Sequence, residues 1–300
     1  MILIISKKND QSTIEVMKWL SKMAKKCIFV YEDEVFEIKT KYKRVLIESQ
    51  RNTFFLDEIA SVWYRRGGIR FNRYQYENNS VNIHMNETQY WLEDYVLKTL
   101  ESKKHLNKQS NCHVNKLLVL EKAQKAGLNV PEYFLAENTN EVAINKTIVK
   151  PIAGNPILES LEKNCDGIMY TSIVENKIKE NFFISFFQEK IEKDFEIRSF
   201  YLDGKIWSMA IFSQNDEQTK TDFRKYNLEK PNRNVRYNLP KEIETKVHQL
   251  MQSLDLNCGS IDFMKSCDKY YFLEINPIGQ FGNVSADCNY LLEKEIAEYL

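Results

Sequence analysis

The sequence is poor in glycine. Nine glycines occur among 300 residues, whereas average usage would give about twenty. Neither the GxGxxG pattern nor the GxxxxGK pattern is present, which excludes the dinucleotide-binding fingerprint and the P-loop in their standard forms. A phosphate site in this chain must therefore depend on charged side chains rather than on a loop of glycine amides.

A net charge is also missing, because 42 lysines and arginines balance 42 aspartates and glutamates. Without a global positive field, nucleic acid is not expected as a partner. No apolar run approaches the roughly 18 residues of a spanning helix, and the apolar start of the chain is too short for a signal peptide. We therefore expect no membrane partner and a cytoplasmic location. The six cysteines form no CxxC pair and are expected to be reduced thiols.

Strand and helix patterns alternate in the first hundred residues. Apolar runs at 2–5 and 27–30 flank a segment at 10–26 with helical spacing, an order that is typical of a βαβ unit and a parallel sheet. Further strands are expected at 44–48 and 61–65. A long helix is expected at 86–103, with Asn86 as its N-cap and an inner face of Tyr90, Trp91, Tyr95, Leu97 and Leu100.

Lys150 stands at the expected end of a strand. Thr147-Ile148-Val149 precedes it and Pro151 follows it, so its ammonium group would project beside the strand end. An edge lysine at a turn has the same pattern, and from this position alone both interpretations stay open. Upstream, residues 115–127 have helical spacing and end at Gly127, which is typical of a helix C-terminus.

Residues 195–213 have the pattern of a β-hairpin. Their central dipeptide, Asp203-Gly204, is preferred in two-residue type I′ turns. Period-two alternation places Glu196 and Arg198 on one face of the first strand. The two side chains would stand side by side, and a weak ion pair between them is one interpretation.

The most informative segment is 259–277. As a hairpin turning at 265–269, it pairs about Asp268 and places Asp262 opposite Glu274, with Asn276 on the same face. Facing carboxylates repel unless a cation lies between them, and two carboxylates with an amide oxygen suit Mg²⁺. Exposure of both carboxylates to water is the alternative. Against it, the other face is apolar and fixes the register, with Ile261, Phe263, Leu273 and Ile275.

Isolated cations would have to meet the phosphate charge. Together with the carboxylates they form an ordered series, Lys116, Val149-Lys150-Pro151, Gln188-Glu189-Lys190-Ile191, Glu196-Ile197-Arg198, Asp222-Phe223-Arg224, Ile261-Asp262-Phe263 and Leu273-Glu274-Ile275-Asn276-Pro277. This series resembles an ATP-grasp carboxylate–amine ligase from about residue 112 to the end of the sequence. The last part is the most discriminating, because Asp262 precedes Glu274 by twelve residues and Asn276 by fourteen.

The resemblance implies a site for ATP. Lys116 and Lys150 are implied to contact the phosphates, the hinge residues Gln188, Glu189 and Ile191 to meet the adenine edge, and Glu196 to hold the ribose.

The resemblance also implies the catalytic and metal-binding residues. Arg198 and Arg224 would neutralise the transferring phosphoryl group and the acyl phosphate. Asp262, Glu274 and Asn276 would bind two Mg²⁺ ions, for which Mn²⁺ can substitute. These roles agree with phosphoryl transfer, which needs positioning and charge neutralisation more than covalent help.

The implied fold class is α/β with the ATP-grasp fold. An N-terminal α/β pre-ATP-grasp domain would span residues 1–111, and a small central α+β subdomain residues 112–187. A C-terminal antiparallel-sheet subdomain with the metal site would span 188–300. ATP would be held between the last two.

Within the superfamily the sequence resembles the graspetide synthetases, especially the grasp-with-spasm peptide maturases. The motifs behind this likeness lie at 62–66, 221–224, 276–282 and 288–293. The implied enzyme is an ADP-forming ligase whose partner is a ribosomal precursor peptide with a leader and a core. It would activate Asp or Glu side chains as acyl phosphates, and Ser, Thr or Lys side chains would then close ω-ester or ω-amide macrocycles.

Two other functions remain open at this point. An ATP-grasp ligase that joins an amino acid or glutamate to another acceptor would use the same residues. A nucleotide-binding regulator without turnover is the second alternative. The aromatic residues Trp19, Trp63, Tyr64 and Trp91 either form a homodimer surface or pack in the core.

Overall fold

The computed structural model describes residues 1–152, 157–162, 165–176, 180–214 and 232–300. The chain forms two compact units. The first consists of Met1–His113, Asp255–Gly259 and Pro277–Leu300, and the second of Val114–Leu254 and Ser260–Asn276. The three-domain division with boundaries at 112 and 188 stays a prediction.

The described residues contain nineteen strands and six α-helices. The strands are β1 (Ile2–Ser6), β2 (Cys27–Tyr31), β3 (Val35–Lys41), β4 (Arg44–Glu48), β5 (Thr53–Phe55), β6 (Ser61–Tyr64), β7 (Arg70–Phe71), β8 (Lys104–Leu106), β9 (Tyr133–Asn138), β10 (Thr147–Lys150), β11 (Ile157–Glu162), β12 (Cys165–Ile168), β13 (Ser172–Ile173), β14 (Asn181–Glu189), β15 (Phe195–Leu202), β16 (Lys205–Phe212), β17 (Arg233–Tyr237), β18 (Cys258–Ser266) and β19 (Lys269–Asn276). The helices are α1 (Gln11–Lys22), α2 (Asn79–Glu101), α3 (Lys116–Lys125), α4 (Lys241–Ser253), α5 (Gly282–Cys288) and α6 (Leu292–Tyr299).

The first unit is built on a parallel sheet with the order β2-β1-β6-β8. All five residues of β1 are buried, as expected for a central parallel strand that is covered on both faces. The predicted βαβ opening and the strands at 44–48 and 61–65 are confirmed. A second sheet, β5-β4-β3-β7, packs its apolar residues into the same core.

Helix α1 is shorter than the pattern indicates. It is capped by Asp10 and ends at Lys22, and the backbone turns left-handed at Ala24. Thr13, Val16 and Leu20 form its buried face.

Helix α2 begins seven residues earlier than predicted. Its N-cap is Asn78, whose side chain accepts a hydrogen bond from the amide of Val81. The assignment of Asn86 as the N-cap is wrong, because Asn86 lies inside the helix and donates its side-chain amide to the carbonyl of Asn82.

The predicted inner face of α2 is wrong for its three aromatic residues and right for Leu97 and Leu100, which belong to the core. Tyr90, Trp91 and Tyr95 are exposed, by 51%, 60% and 56%, while Val96 and Leu100 are the buried residues. Residues four apart share a helix face, so Val96 and Leu100 form one buried stripe. Trp91 lies on a different, exposed face of the helix. Core packing instead explains Trp63 and Tyr64, which are buried in β6.

The second unit contains two larger sheets and a β11-β12 hairpin. One sheet has the order β13-β10-β14-β9, and the other has the order β17-β16-β15-β18-β19. In the second of these sheets the pairs β15–β16, β16–β17 and β18–β19 are antiparallel. Helix α3 starts behind its N-cap Asn115 and packs near β19 and α4. Among the described residues, no helix is both long and apolar enough to cross a membrane.

Candidate active site

Strands β18 and β19 bring the three proposed metal ligands to one end of a hairpin. Asp262 pairs directly with Glu274, and Ser260 pairs with Asn276. The predicted register at these positions is confirmed. Because alternate residues of a strand share a face, Glu274 and Asn276 present oxygen atoms on the same side as Asp262.

The turn and the ladder that produce this register differ from those of the predicted hairpin. The ladder continues to the pair of Ser266 with Lys269, so the turn is only Cys267-Asp268. A regular ladder from this turn would place Asp262 opposite Leu273. Leu273 is instead the extra residue of a β-bulge between the pairs of Asp262 and Phe263, and a bulge sets two residues against one.

The bulge also changes the apolar face. Phe272 pairs with Phe263, and both rings are buried and meet edge to face. Leu273, which was expected on that face, is only half-buried. Ile261 and Ile275 are buried as predicted. The apolar side therefore consists of alternate residues on each strand, with the bulge absorbing the extra position.

Arg198 faces the β18–β19 hairpin, called here the metal hairpin after its proposed ligands, from the neighbouring strand β15. Its Nη1 lies 3.7 Å from Oδ2 of Asp262, and the two side chains are only 14% and 16% exposed. An ion pair so little exposed is less screened than a surface pair. Glu196, on the same strand, forms an ion pair with Lys193.

Lys116 connects the other carboxylate with the end of β10. Its Nζ lies 3.1 Å from Oε2 of Glu274 and donates to the carbonyl oxygen of Pro151 at 3.0 Å. It is the first residue of α3, so its direction is set by a capped helix start. Pro151 directly follows Lys150, and the ammonium of Lys116 therefore joins two segments that carry proposed site residues.

Lys150 and Gln188 form a second group. The ammonium of Lys150 donates to Oε1 of Gln188 at 2.9 Å. The two residues lie on adjacent antiparallel strands, where Ile148 pairs with Gln188 and Lys150 with Phe186. Gln188 is buried, so its amide holds the lysine in one direction at the strand end.

No protein-family model matches the chain, and no curated protein matches it. Solved structures do. The fold is similar to that of the macrocyclase MdnC from Microcystis aeruginosa MRC, solved with the precursor peptide MdnA, with a TM-score of 0.77 and 26% identity over 100% of this chain and 99% of MdnC. A RiPP-associated ATP-grasp ligase from Chryseobacterium gregarium, solved with ADP and a leader and core peptide, has a TM-score of 0.76 and 24% identity over 99% of this chain and 94% of that one. The ATP-grasp ligase PsnB, solved with a minimal precursor, Mg and ADP, has a TM-score of 0.68 and 15% identity over 99% of this chain and 95% of its own.

This chain has the ATP-grasp ligase fold. The coverage extends over the whole chain rather than one domain, and the resemblance read from the sequence is confirmed at this level. Gln188 and Glu189 end β14, and Ile191 follows that strand, so the residues proposed as the hinge lie at the end of β14 and directly after it.

The hinge backbone is partly engaged within the protein. The amide of Glu189 donates to the carbonyl of Glu132 at 2.8 Å, and the amide of Lys190 donates to that of Lys146 at 2.8 Å. The carboxylate of Glu189 accepts from the amide of Glu132. The backbone amides of Glu189 and Lys190, within the proposed hinge, are therefore already engaged by the protein itself.

Lys193 was missed at the sequence level. Its side chain is 5% exposed and is paired with Glu196, whose side chain is 9% exposed. The only signal was the spacing of three residues between a lysine and the candidate ribose-binding carboxylate. Arg224, the second proposed catalytic arginine, lies outside the described residues.

The donor atoms of the β18–β19 hairpin suit a hard cation. Asp262, Glu274 and Asn276 supply only oxygen atoms, which are the ligands that Mg²⁺ takes. Among the described residues, no cluster of three or more His, Cys, Asp or Glu side chains could hold a metal ion. A hard cation in this hairpin would therefore need the carboxamide oxygen of Asn276 in addition to the two carboxylates.

Proposed function

We propose that the protein is an ATP-dependent ligase that closes ω-ester or ω-amide macrocycles in a ribosomal precursor peptide. The observation that carries this proposal is the facing pair Asp262 and Glu274, each with a cation against it. The similarity to MdnC over the whole chain supports a peptide substrate. The partner would contribute a leader and a core, and neither nucleic acid nor a membrane takes part.

ATP binds first through cations and the hinge. Lys116 and Lys150 contact its phosphates, and the backbone at Gln188 to Ile191 meets the adenine edge, with Ile191 the principal contact. Glu196 accepts from the ribose hydroxyls, and the buried Lys193 holds that carboxylate in place. Lys116 and Lys150 thus neutralise the phosphates, a role that a glycine-rich loop has in other nucleotide-binding proteins.

Asp262, Glu274 and Asn276 hold Mg²⁺, for which Mn²⁺ can substitute. The facing carboxylates suit two ions, which would supply positive charge beside the ATP phosphates during phosphoryl transfer. Lys116 and Arg198 already lie against these carboxylates. Both cations can therefore turn from carboxylate to phosphate with small side-chain movements.

The chemistry proceeds in two steps. A carboxylate oxygen of an Asp or Glu in the core attacks the γ-phosphorus of ATP, so that ADP leaves and an acyl phosphate forms. A Ser or Thr hydroxyl or a Lys amine then attacks the acyl carbon, loses its proton and expels phosphate. Arg198 neutralises the transferring phosphoryl group, and Arg224 is proposed to share that role.

The test is a mass measurement. The protein incubated with ATP, Mg²⁺ and its precursor should lower the peptide mass by one water per ring, and the Asp262→Asn variant should not. ADP release that requires a free amino acid, with an adduct on an acceptor, would instead support the amino-acid ligase. Nucleotide binding without ADP release would support the regulator. A cytoplasmic location and a homodimer remain part of the same proposal.

A further inference from the structure

The segment that leaves the metal hairpin is fixed by buried polar side chains of the first unit. Asn276 is the last residue of β19, and Pro277, Ile278 and Gly279 follow it. The backbone carbonyls of all three accept hydrogen bonds from side chains. The donors are Asn107 for the first carbonyl and Arg65 for the other two.

Asn107 bridges both ends of the hairpin. Its Nδ2 donates to the carbonyl of Pro277 at 2.7 Å and to the carbonyl of Cys258 at 2.9 Å. Its Oδ1 accepts from the amide of Cys258 at 3.2 Å. Cys258 begins β18, and Pro277 directly follows β19. One side-chain amide therefore replaces the ladder at the point where Pro277, which has no N–H, cannot extend it.

Arg65 holds the next two carbonyls from a fully packed position. It is 3% exposed, and it donates to Gly279 at 2.9 Å and to Ile278. Its guanidinium lies over the ring of Phe281, and Asp10 pairs with it at 3.2 Å. Burial raises the pKa of Asp10, but Arg65 and hydrogen bonds from neighbouring groups outweigh it, so that this pKa lies below its usual value. The carboxylate is therefore ionised and keeps the guanidinium in place.

This anchor places two buried polar side chains on one short segment of backbone. Burying an amide and a guanidinium destabilises the fold unless each is hydrogen-bonded. Here the two groups donate hydrogen bonds to three successive carbonyls. Pro277 adds a fixed φ between the anchor and Asn276. The backbone on the C-terminal side of Asn276 is therefore set before any ligand is bound.

We propose that Asn107 and Arg65 are positioning residues for the metal site, acting through the peptide bond that joins Pro277 to Asn276. The inference rests on the proposed function, because it gives Asn276 a role in binding Mg²⁺. Groups that orient a metal ligand typically change metal affinity by about 10- to 100-fold when they are removed. The carboxamide of Asn276 is the ligand that depends on this anchor.

The experiment measures Mn²⁺ affinity by electron paramagnetic resonance, with the full-length protein and ADP, and needs no turnover. Asn107→Ala should weaken Mn²⁺ binding about tenfold. The matched control is Asn52→Ala, because Asn52 also donates its side-chain amide within the first unit, to Phe29 and Glu34. That variant should leave Mn²⁺ affinity within about twofold of wild type.

A double-mutant cycle distinguishes positioning from general destabilisation. If Asn107 acts through Asn276, Asn107→Ala combined with Asn276→Ala should bind Mn²⁺ no more weakly than Asn276→Ala alone. Arg65→Lys keeps a positive charge, but one ammonium replaces both the Nη1 that donates to the two carbonyls and the Nε that donates to Asp10, and it should give a smaller loss. It also serves if Asn107→Ala does not fold.

Three results would overturn the proposal. Unchanged Mn²⁺ affinity in folded Asn107→Ala or Arg65→Lys would refute the positioning role alone. Additive losses in the double mutant would do the same. A wild-type protein that binds ADP but no Mn²⁺ would refute the metal site of the proposed function, and the positioning role with it.

Discussion

Two hairpins of the same five-stranded sheet differ because one of them has an extra residue in one strand. In β15–β16, pairing runs without a shift from Glu196 to Lys205, and the turn is Asp203-Gly204. In β18–β19, the turn is also two residues long, but Leu273 interrupts the ladder. The regular hairpin follows from local sequence, whereas the interrupted one carries the facing carboxylates. The bulge is therefore the feature that places Asp262 opposite Glu274 instead of opposite Leu273.

The largest expected effect comes from making the same Asp→Asn substitution in each of the two hairpins. Asp262→Asn removes a carboxylate from the interrupted hairpin, and we expect a loss of turnover of about 10² to 10³-fold, measured as ADP release. Asp203→Asn makes the same change at the turn of the regular hairpin, where φ is +46°. Asparagine tolerates this conformation, so ADP release should be unchanged. Equal losses in both variants would show that carboxylate chemistry is not confined to the interrupted hairpin.

The sequence predicted the regular hairpin fully and the site in part. Alternation and the Asp203-Gly204 signal are local, and both turn residues have positive φ as a type I′ turn requires. The facing of Asp262 and Glu274 was predicted correctly, but through a wider turn and no bulge. A bulge depends on how the remaining strands accept an extra residue, which one strand's pattern does not contain.

Other parts of the site needed contacts that are distant in sequence. The pairing of Lys116 with Glu274 spans most of the second unit, and period or spacing gives no signal for it. Asn107 lies in a polar stretch that reads only as a linker. The start of α2 was missed because the aromatic residues suggested a buried face, whereas the residues that are buried are Val96, which was not predicted, and Leu100, which was.

Arg198 gives the next largest effect, and it tests whether the two hairpins act together. Arg198→Ala should lower kcat about 100-fold and change nucleotide affinity much less, because the charge it neutralises develops during phosphoryl transfer. Arg236→Ala in the same sheet is the control, since Arg236 is exposed on β17. Equal losses in kcat and nucleotide affinity would contradict the role given to Arg198.

A stability effect sharpens the difference between the turns. Gly204 has a φ of +90°, and an added Cβ would meet His248 only at 3.7 Å, an ordinary contact. The cost of Gly204→Ala is therefore conformational, and we expect a loss of about 1–2 kcal/mol in the free energy of unfolding. Urea denaturation measures it. Gly204→Asn should lose less, and a variant as stable as wild type would show that the turn can change type.

The smallest effect concerns thiols at opposite ends of the interrupted hairpin. Cys258 is at its base and buried, and Cys267 is exposed at its turn. Burial raises the pKa of Cys258 to about 12, so almost no thiolate is present at pH 8, and thiolate is the reactive form. A thiol reagent followed by peptide mapping should label Cys267 in the native protein and Cys258 only after denaturation. Labelling of native Cys258 at a similar rate would mean that the base of the hairpin opens readily, which the anchor at Asn107 should prevent.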